Sequence, residues 1–194
     1  MQKLFLIGFF LATVISGVII GCNNAKTEEP APATAMVSQD SLIKRGDYLV
    51  SAIGCDDCHS PKRMGQRGPE LIPELRLSGF PEKGMLPPGS PDALKKGWVL
   101  MGPDLTATAG PWGITYASNI TSDSTGIGTW KEEQFIRALR EGKSKGLEGN
   151  RPLLPPMPWQ NIGKLSDHDL KSIFAYLKSV KAVKNVVPAP VFNQ

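Results

Sequence analysis

The stretch Cys55-Asp56-Asp57-Cys58-His59, here called the pentad, decides how this chain folds. Two thiols three positions apart can each form a thioether to one haem vinyl group, and the imidazole that follows reaches the iron from the same side. With three Cys and two His in 194 residues, chance would produce such a pentad in only about one chain in two thousand. The pentad therefore predicts one covalent haem c bound by Cys55 and Cys58, with His59 as an axial iron ligand.

The paired cysteines have two other interpretations. A Cys-x-x-Cys pair also occurs in thioredoxin-like redox proteins, usually beside a βαβ pattern, and as half of a zinc site, which needs two further ligands. The chain shows no such pattern, and its only other Cys and His are Cys22 and His168. Haem attachment is the prediction, and a redox thiol pair or a metal site is the alternative.

The amino terminus has the composition of an export signal. Lys3 carries one positive charge, and residues 4–20 are almost entirely apolar, a length that also suits a retained membrane helix. The following Ile19-Ile20-Gly21-Cys22 resembles the lipobox of bacterial lipoproteins. We predict a signal peptide over residues 1–21 and acylation of Cys22. The protein would be anchored by lipid to a bacterial membrane, facing the periplasm or the cell exterior.

The rest of the chain divides into a tether, one domain and a tail. Residues 22–40 are rich in Pro and small side chains, which predicts a flexible tether. Residues 41–187 are enough for a single domain with its own core, and residues 188–194 form a short carboxyl-terminal tail. The net formal charge of +4 is too small to indicate nucleic acid as a partner.

Three segments have the apolar spacing of helices. The first covers residues 41–53 and leads directly into the pentad. A capping-box pattern at residues 129–132 predicts a middle helix over 130–141. Ser166 is predicted to cap a last helix that ends near Val180. The crossing of the first and last helices is expected at Gly46, Tyr48, Phe174 and Tyr176.

A long segment between the pentad and Trp130 is dense in Gly and Pro. It shows no sustained helix or strand periodicity over about 70 residues, and loops of this length are usually functional or packed against something. A flat apolar haem would offer such a surface. Because no second pentad and no internal repeat is present, the sequence predicts an all-α fold with one haem and a long Gly/Pro-rich insertion.

The order of helix, pentad, long loop, helix, Met-bearing loop and last helix is similar to a class I cytochrome c over residues 41–187. More narrowly, the chain resembles the cytochrome c subunits of membrane-bound alcohol and aldehyde dehydrogenases, which carry several haem domains in tandem where this chain has one pentad. Five segments carry that resemblance: Tyr48-Leu49-Val50, Asn119-Ile120-Thr121, Gly126-Ile127-Gly128-Thr129-Trp130, Leu139-Arg140-Glu141-Gly142 and Pro155-Pro156-Met157-Pro158-Trp159.

Met157 is the predicted sixth iron ligand. The resemblance implies an axial methionine in the loop between the middle and last helices, and the prolines on both sides of Met157 reduce the entropy lost when its thioether is fixed. A sulfur ligand opposite an imidazole raises the reduction potential relative to two imidazoles. The alternatives are Met64, Met85, Met101 and His168.

Several supporting roles are also expected. The resemblance implies that the carbonyl of a Gly-Pro segment, here at Pro69, accepts the Nδ1–H of His59 and fixes the ring, and Pro61 is an alternative acceptor. Trp159 and Arg151 are candidate donors to the haem propionates, with plain packing as the alternative for the Trp.

Together these features predict an electron-transfer protein and not an enzyme. Single electrons would pass between membrane or periplasmic partners, such as a dehydrogenase, a quinol oxidase or a terminal oxidase. Two alternatives require an open sixth position on the iron: a peroxidase-like haem enzyme and a gas-binding haem module.

Overall fold

The computed structural model describes residues 38–193. The predicted signal peptide, Cys22 and most of the predicted tether lie outside the described residues. The helices within the described range are α1 (Gln39–Ala52), α2 (Cys55–His59), α3 (Pro91–Lys95), α4 (Glu132–Arg140), α5 (Trp159–Ile162) and α6 (Asp167–Ser179). None of these helices is long and apolar enough to cross a bilayer.

The predicted first and last helices are confirmed as α1 and α6. Ser38 caps α1 by accepting a hydrogen bond from the Ser41 amide at 3.2 Å. Ser166 caps α6 in the same way, accepting from the Asp169 amide at 3.1 Å. Since α6 ends at Ser179, its predicted cap and its predicted end are both correct.

The predicted start of the middle helix is wrong. Helix α4 begins at Glu132, and its N-cap, Lys131, makes no side-chain capping bond. The residues before it belong to a turn, in which the Trp130 amide donates to the Ile127 carbonyl at 2.9 Å and the Ile127 amide donates to the Thr121 carbonyl at 3.0 Å. Because the turn already uses this backbone, the capping-box pattern does not start a helix.

Helices α1 and α6 cross at Gly46. A Cβ added there would lie 2.0 Å from the Ser172 carbonyl oxygen and 2.6 Å from the Tyr176 Cβ, so only glycine permits this approach. The expectation for Tyr48 is wrong, because its side chain is 62% exposed. Phe174 packs against Phe135 of α4, with 5.3 Å between the ring centroids.

The predicted all-α fold is wrong, because the fold is mixed. A two-stranded antiparallel sheet pairs β1 (Lys62–Gly65) with β2 (Gly68–Leu71). A four-stranded antiparallel sheet has the order β3-β4-β5-β6. Its strands are β3 (Leu100–Met101), β4 (Ala107–Gly110), β5 (Gly113–Tyr116) and β6 (Val191–Phe192).

The predicted irregular insertion therefore contains hairpins. Gly110 pairs with Gly113, which leaves Pro111 and Trp112 as a two-residue turn between β4 and β5. Strand β6, within the predicted carboxyl-terminal tail, pairs with β5. Within residues 38–193 no strand is longer than four residues, so these strands are too short to show a clear alternating pattern in the sequence.

Two buried amides tie the end of the chain to the insertion. The Asn185 side chain donates to the carbonyls of Ser78 at 2.7 Å and Phe80 at 2.9 Å. The Asn119 side chain donates to the Val183 carbonyl at 2.8 Å. These bonds fix the segments before β3 and after β5 against the chain that follows α6.

We expect Gly46→Ala to destabilise the protein although Ala is the better helix former. Ala favours the helix by about 1 kcal/mol, but its Cβ would overlap a backbone oxygen that cannot rotate away. A net loss of about 1–3 kcal/mol of unfolding free energy is expected from denaturant titration. The control is Gly89→Ala, because a Cβ there meets nothing within 4 Å. Equal stabilities for both variants would contradict the close crossing.

Candidate haem site

The pentad forms helix α2 and presents both cysteines on one side. Gly54 precedes it in the left-handed region, at φ 75°, and turns the chain from α1 into α2. Cys55 and Cys58 are free thiols and partly buried, and Cys55 packs against the main core cluster. Residues three apart on a helix lie on the same face, so both sulfurs are available to one flat partner.

The thiols are held in their neutral form. Burial raises the pKa of Cys55 to about 12, and the charge of Asp56 adds to this effect. Burial also raises the pKa of Cys58. A redox-active thiol pair normally has a lowered pKa, so this environment disfavours the thioredoxin-like alternative. Among residues 38–193, no three His, Cys, Asp or Glu side chains gather as a metal site.

His59 is oriented by a carbonyl far along the chain. Its Nδ1 lies 2.7 Å from the Ser118 carbonyl oxygen, so Nδ1–H donates this bond and Nε2 keeps its lone pair for a metal. Burial lowers the pKa of His59 and outweighs the opposing effect of the Ser118 hydrogen bond. The imidazole is therefore kept in the neutral form that binds metals.

The predicted acceptors for His59 are wrong. Pro61 uses its carbonyl to accept the Ile72 amide at 3.1 Å, and Pro69 lies in β2 opposite Met64. Pro61 lies just before β1 and Pro69 lies in β2. Each proline faces the opposite strand of this hairpin and not the imidazole. The carbonyl that accepts the hydrogen bond from the imidazole belongs instead to Ser118, which follows β5.

Gly79 permits this long-range contact. Its amide donates to the His59 carbonyl at 2.7 Å, its φ is 77°, and a Cβ there would lie 2.4 Å from the Ala117 carbonyl oxygen. The adjacent Phe80 amide donates to that same Ala117 carbonyl at 2.9 Å. Any side chain at Gly79 would therefore push Ser118 away from the imidazole.

Asp56, inside the pentad, forms a two-pronged ion pair with Arg76. The guanidinium donates through Nε at 3.0 Å and Nη2 at 2.8 Å, and its Nη1 donates to the Tyr176 hydroxyl at 2.5 Å. The Ser60 hydroxyl also donates to Asp56, at 2.6 Å. Burial raises the pKa of Asp56, but the bonds from Arg76 and Ser60 outweigh burial and hold that pKa below its usual value.

Lys62 closes the carboxyl end of α2. Its ammonium donates to the carbonyls of Asp57 at 2.7 Å, Ser60 at 2.9 Å, Asp104 at 3.0 Å and Asp56 at 3.1 Å. A cation is favourable at this end of a helix, where carbonyls lack partners. The sequence carries a local signal for this role, a Lys just after the helix, that the sequence analysis missed.

Met157 lies in the loop between α4 and α5, and its side chain packs against the same core cluster as Cys55. The loop is fixed at two points: the Leu153 amide donates to the Gly142 carbonyl at 2.6 Å, and the Thr115 hydroxyl donates to the Pro155 carbonyl at 2.8 Å. The structure thus brings the thioether and the first cysteine to one core.

Strand β5 connects the two halves of the site. Thr115 in β5 holds the loop that carries Met157, and Ser118, three residues further on, holds His59. At the preceding turn, the buried indole N–H of Trp112 has no hydrogen-bond partner within residues 38–193.

The alternative sixth ligands are all on the surface. Met64 is 70% exposed, Met85 92% and Met101 45%, and His168 is exposed in the first turn of α6. The candidate propionate donors have other contacts: the Trp159 ring lies against Gly142, and the Arg151 guanidinium donates to the Pro152 carbonyl at 2.8 Å. Axial ligation by Met157 and both propionate contacts stay predictions.

Comparison with known proteins supports the same kind of site. No family model matches the chain. The fructose dehydrogenase cytochrome subunit of Gluconobacter japonicus is 32% identical over 185 residues, which is 92% of this chain and 29% of that protein. The chain resembles cytochrome c subunits of dehydrogenases. This finding confirms the predicted resemblance.

Two further relatives agree. The gluconate 2-dehydrogenase cytochrome c subunit of Pantoea cypripedii is 32% identical over 140 residues, covering 72% of this chain and 23% of that protein. The quinone alcohol dehydrogenase cytochrome c subunit of Gluconobacter oxydans (strain 621H) is 29% identical over 160 residues, covering 81% and 26%. These relatives are cytochrome subunits rather than catalytic subunits, as predicted. The chain spans less than a third of the length of each.

We expect Thr115→Val to loosen the Met157 loop while preserving side-chain shape. The substitution removes the hydrogen bond to the Pro155 carbonyl, which costs about 1 kcal/mol of unfolding free energy, and hydrogen exchange should become faster at the Met157 amide. Thr108→Val is the matched control, because Thr108 faces Thr115 across the strand pair and does not bond Pro155. If both variants exchange alike, Thr115 does not hold the loop.

Proposed function

We propose that this chain is a one-electron carrier, a cytochrome c with a single haem c bound covalently through Cys55 and Cys58. The pentad carries this proposal: it offers two neutral, partly buried thiols on one face of α2 and an imidazole whose Nδ1 is already engaged. The donor set matches what a covalent haem requires. The similarity to cytochrome c subunits supports the same assignment.

His59 and Met157 are the proposed axial ligands. The haem, when bound, supplies an iron that exchanges one electron reversibly. His59 would present Nε2, because the Ser118 carbonyl holds the other ring nitrogen. Met157 would present a thioether from a loop that Thr115 and three prolines restrain. With both positions filled, the protein would favour electron transfer over the peroxidase-like and gas-binding alternatives, which need an open position.

A dehydrogenase is the proposed electron donor. The relatives are named as cytochrome subunits of fructose, gluconate and alcohol dehydrogenases, which supports a partner of that class without identifying its substrate. A quinol oxidase is the alternative donor, and a terminal oxidase is proposed as the acceptor only because a relay needs one.

Haem attachment and axial ligation are tested together on the exported protein. Haem should stay with the polypeptide on a denaturing gel, and Cys55→Ala with Cys58→Ala should abolish the haem stain. In the oxidised protein, Met157→Ala should remove the sulfur-to-iron charge-transfer absorption and allow rapid carbon monoxide binding after reduction.

Two controls accompany this experiment. Cys22→Ser removes the third cysteine and should leave the haem stain unchanged. Met101→Leu should leave the charge-transfer absorption unchanged. Extractable haem would overturn the covalent site, and loss of the band in Met64, Met85 or Met101 variants would place the sixth ligand in the insertion.

We also propose that a lipid on Cys22 anchors the mature protein to a bacterial membrane, with the haem domain in the periplasm or at the cell exterior. The support is the lipobox-like sequence before Cys22. Cys22→Ser should leave the protein unprocessed or soluble in membrane fractionation, whereas Gly21→Ala keeps a small residue before the cysteine and should behave as the native sequence does. Normal processing and membrane recovery of Cys22→Ser would show that no lipid is attached there.

A further inference from the structure

We infer that the ion pair of Asp56 and Arg76 holds two compensating charges beside the haem bound by the pentad, so that losing either charge alone would shift the reduction potential of that haem. The inference rests on the proposed function, since it requires a haem on Cys55 and Cys58. Neither residue is assigned as an iron ligand. Their effect on the iron would be through the electric field alone.

The pair is placed by the attachment motif itself. Asp56 directly follows Cys55 in the sequence. Its carboxylate therefore stays close to the proposed thioether of Cys55. The side chains of Arg76 and Asp56 are only 33% and 16% exposed. Charges that are partly removed from water are weakly screened and act over longer distances than surface charges.

Both charges are also fixed in position. The Ser60 hydroxyl and two guanidinium nitrogens hold the Asp56 carboxylate, while the Tyr176 hydroxyl accepts from the third nitrogen of Arg76. Neither side chain can turn to solvent without breaking several bonds. The partly buried Lys62 donates to backbone carbonyls, so the hydrogen bonds to the Asp56 carboxylate come from Arg76 and Ser60.

A haem on Cys55 and Cys58 would lie beside both charges. Asp56 is the next residue after Cys55, and the Arg76 guanidinium is bonded to its carboxylate. A lone carboxylate would favour the ferric form and a lone guanidinium the ferrous form, whereas the pair nearly cancels.

The test is a potentiometric titration of the haem-loaded protein and its variants. Asp56→Asn keeps the shape and leaves Arg76 uncompensated, so the ferrous-to-ferric ratio at a fixed potential should rise about tenfold, equivalent to ~59 mV for one electron. Arg76→Gln leaves the carboxylate uncompensated and should lower the ratio by a similar factor. The double variant restores neutrality and should lie within about threefold of the native ratio.

Matched variants separate a charge effect from a structural one. Arg76→Lys keeps the charge and should retain most of the native potential. Arg45 and Asp169 form a second Arg–Asp pair, with 2.9 Å between Nε and Oδ1, whose Arg is 44% exposed, and Asp169→Asn should change the ratio less than about twofold. If Arg76→Gln does not accumulate with haem, two Asp56 variants decide: Asp56→Asn should raise the ratio, whereas Asp56→Glu keeps the charge and should leave the ratio near its native value.

The possible results separate a failure of the ion-pair inference from a failure of the proposed electron-transfer function. Shifts of opposite sign in the two single variants support the inference. Shifts of the same sign would indicate loosened structure around the haem and overturn it, as would unchanged potentials in a protein with a reversible couple. Absence of covalent haem or of any reversible couple in the native protein would overturn the proposed function itself.

Discussion

The hydrogen bond from His59 Nδ1 to the Ser118 carbonyl joins residues 59 positions apart, and the candidate site depends on it. An imidazole can bind metal through either nitrogen, so its orientation is undefined until one of them is engaged. Here the engaged partner is a backbone atom, whose position is set by the strand before it and by the close approach of Gly79. The sheet is therefore part of the site, although none of its residues is a proposed ligand.

Local signals in the sequence were sufficient for the parts of the fold that are themselves local. The pentad, the apolar stripes of α1 and α6, and the Ser166 cap each depend on residues within a few positions of one another. The four-stranded sheet depends on pairings between strands of two to four residues, one of them near the end of the chain. Strands this short carry little periodicity, so the all-α expectation had no local evidence against it.

The candidate site shows the same division between local features, which the sequence predicts, and long-range contacts, which it does not. The thiols and the imidazole could be read from their spacing, and Met157 from its place between prolines. The Ser118 acceptor, the Arg76 partner of Asp56 and the Thr115 contact could not, because each joins segments separated by 20 to 59 residues. Sequence reasoning therefore named the groups that are proposed to bind a cofactor, while the groups that hold them in place were visible only in the tertiary structure.

The Lys62 ammonium caps the carboxyl end of α2, the helix that the pentad forms. Because the Lys62 ammonium is surrounded by four carbonyl oxygens, it has little room to meet an electrophile. Lysines on the open surface, such as Lys83, are not enclosed in this way. Chemical labelling of amines would therefore reach Lys62 only when the end of α2 opens, which makes this single side chain a natural reporter of local unfolding beside the proposed haem site.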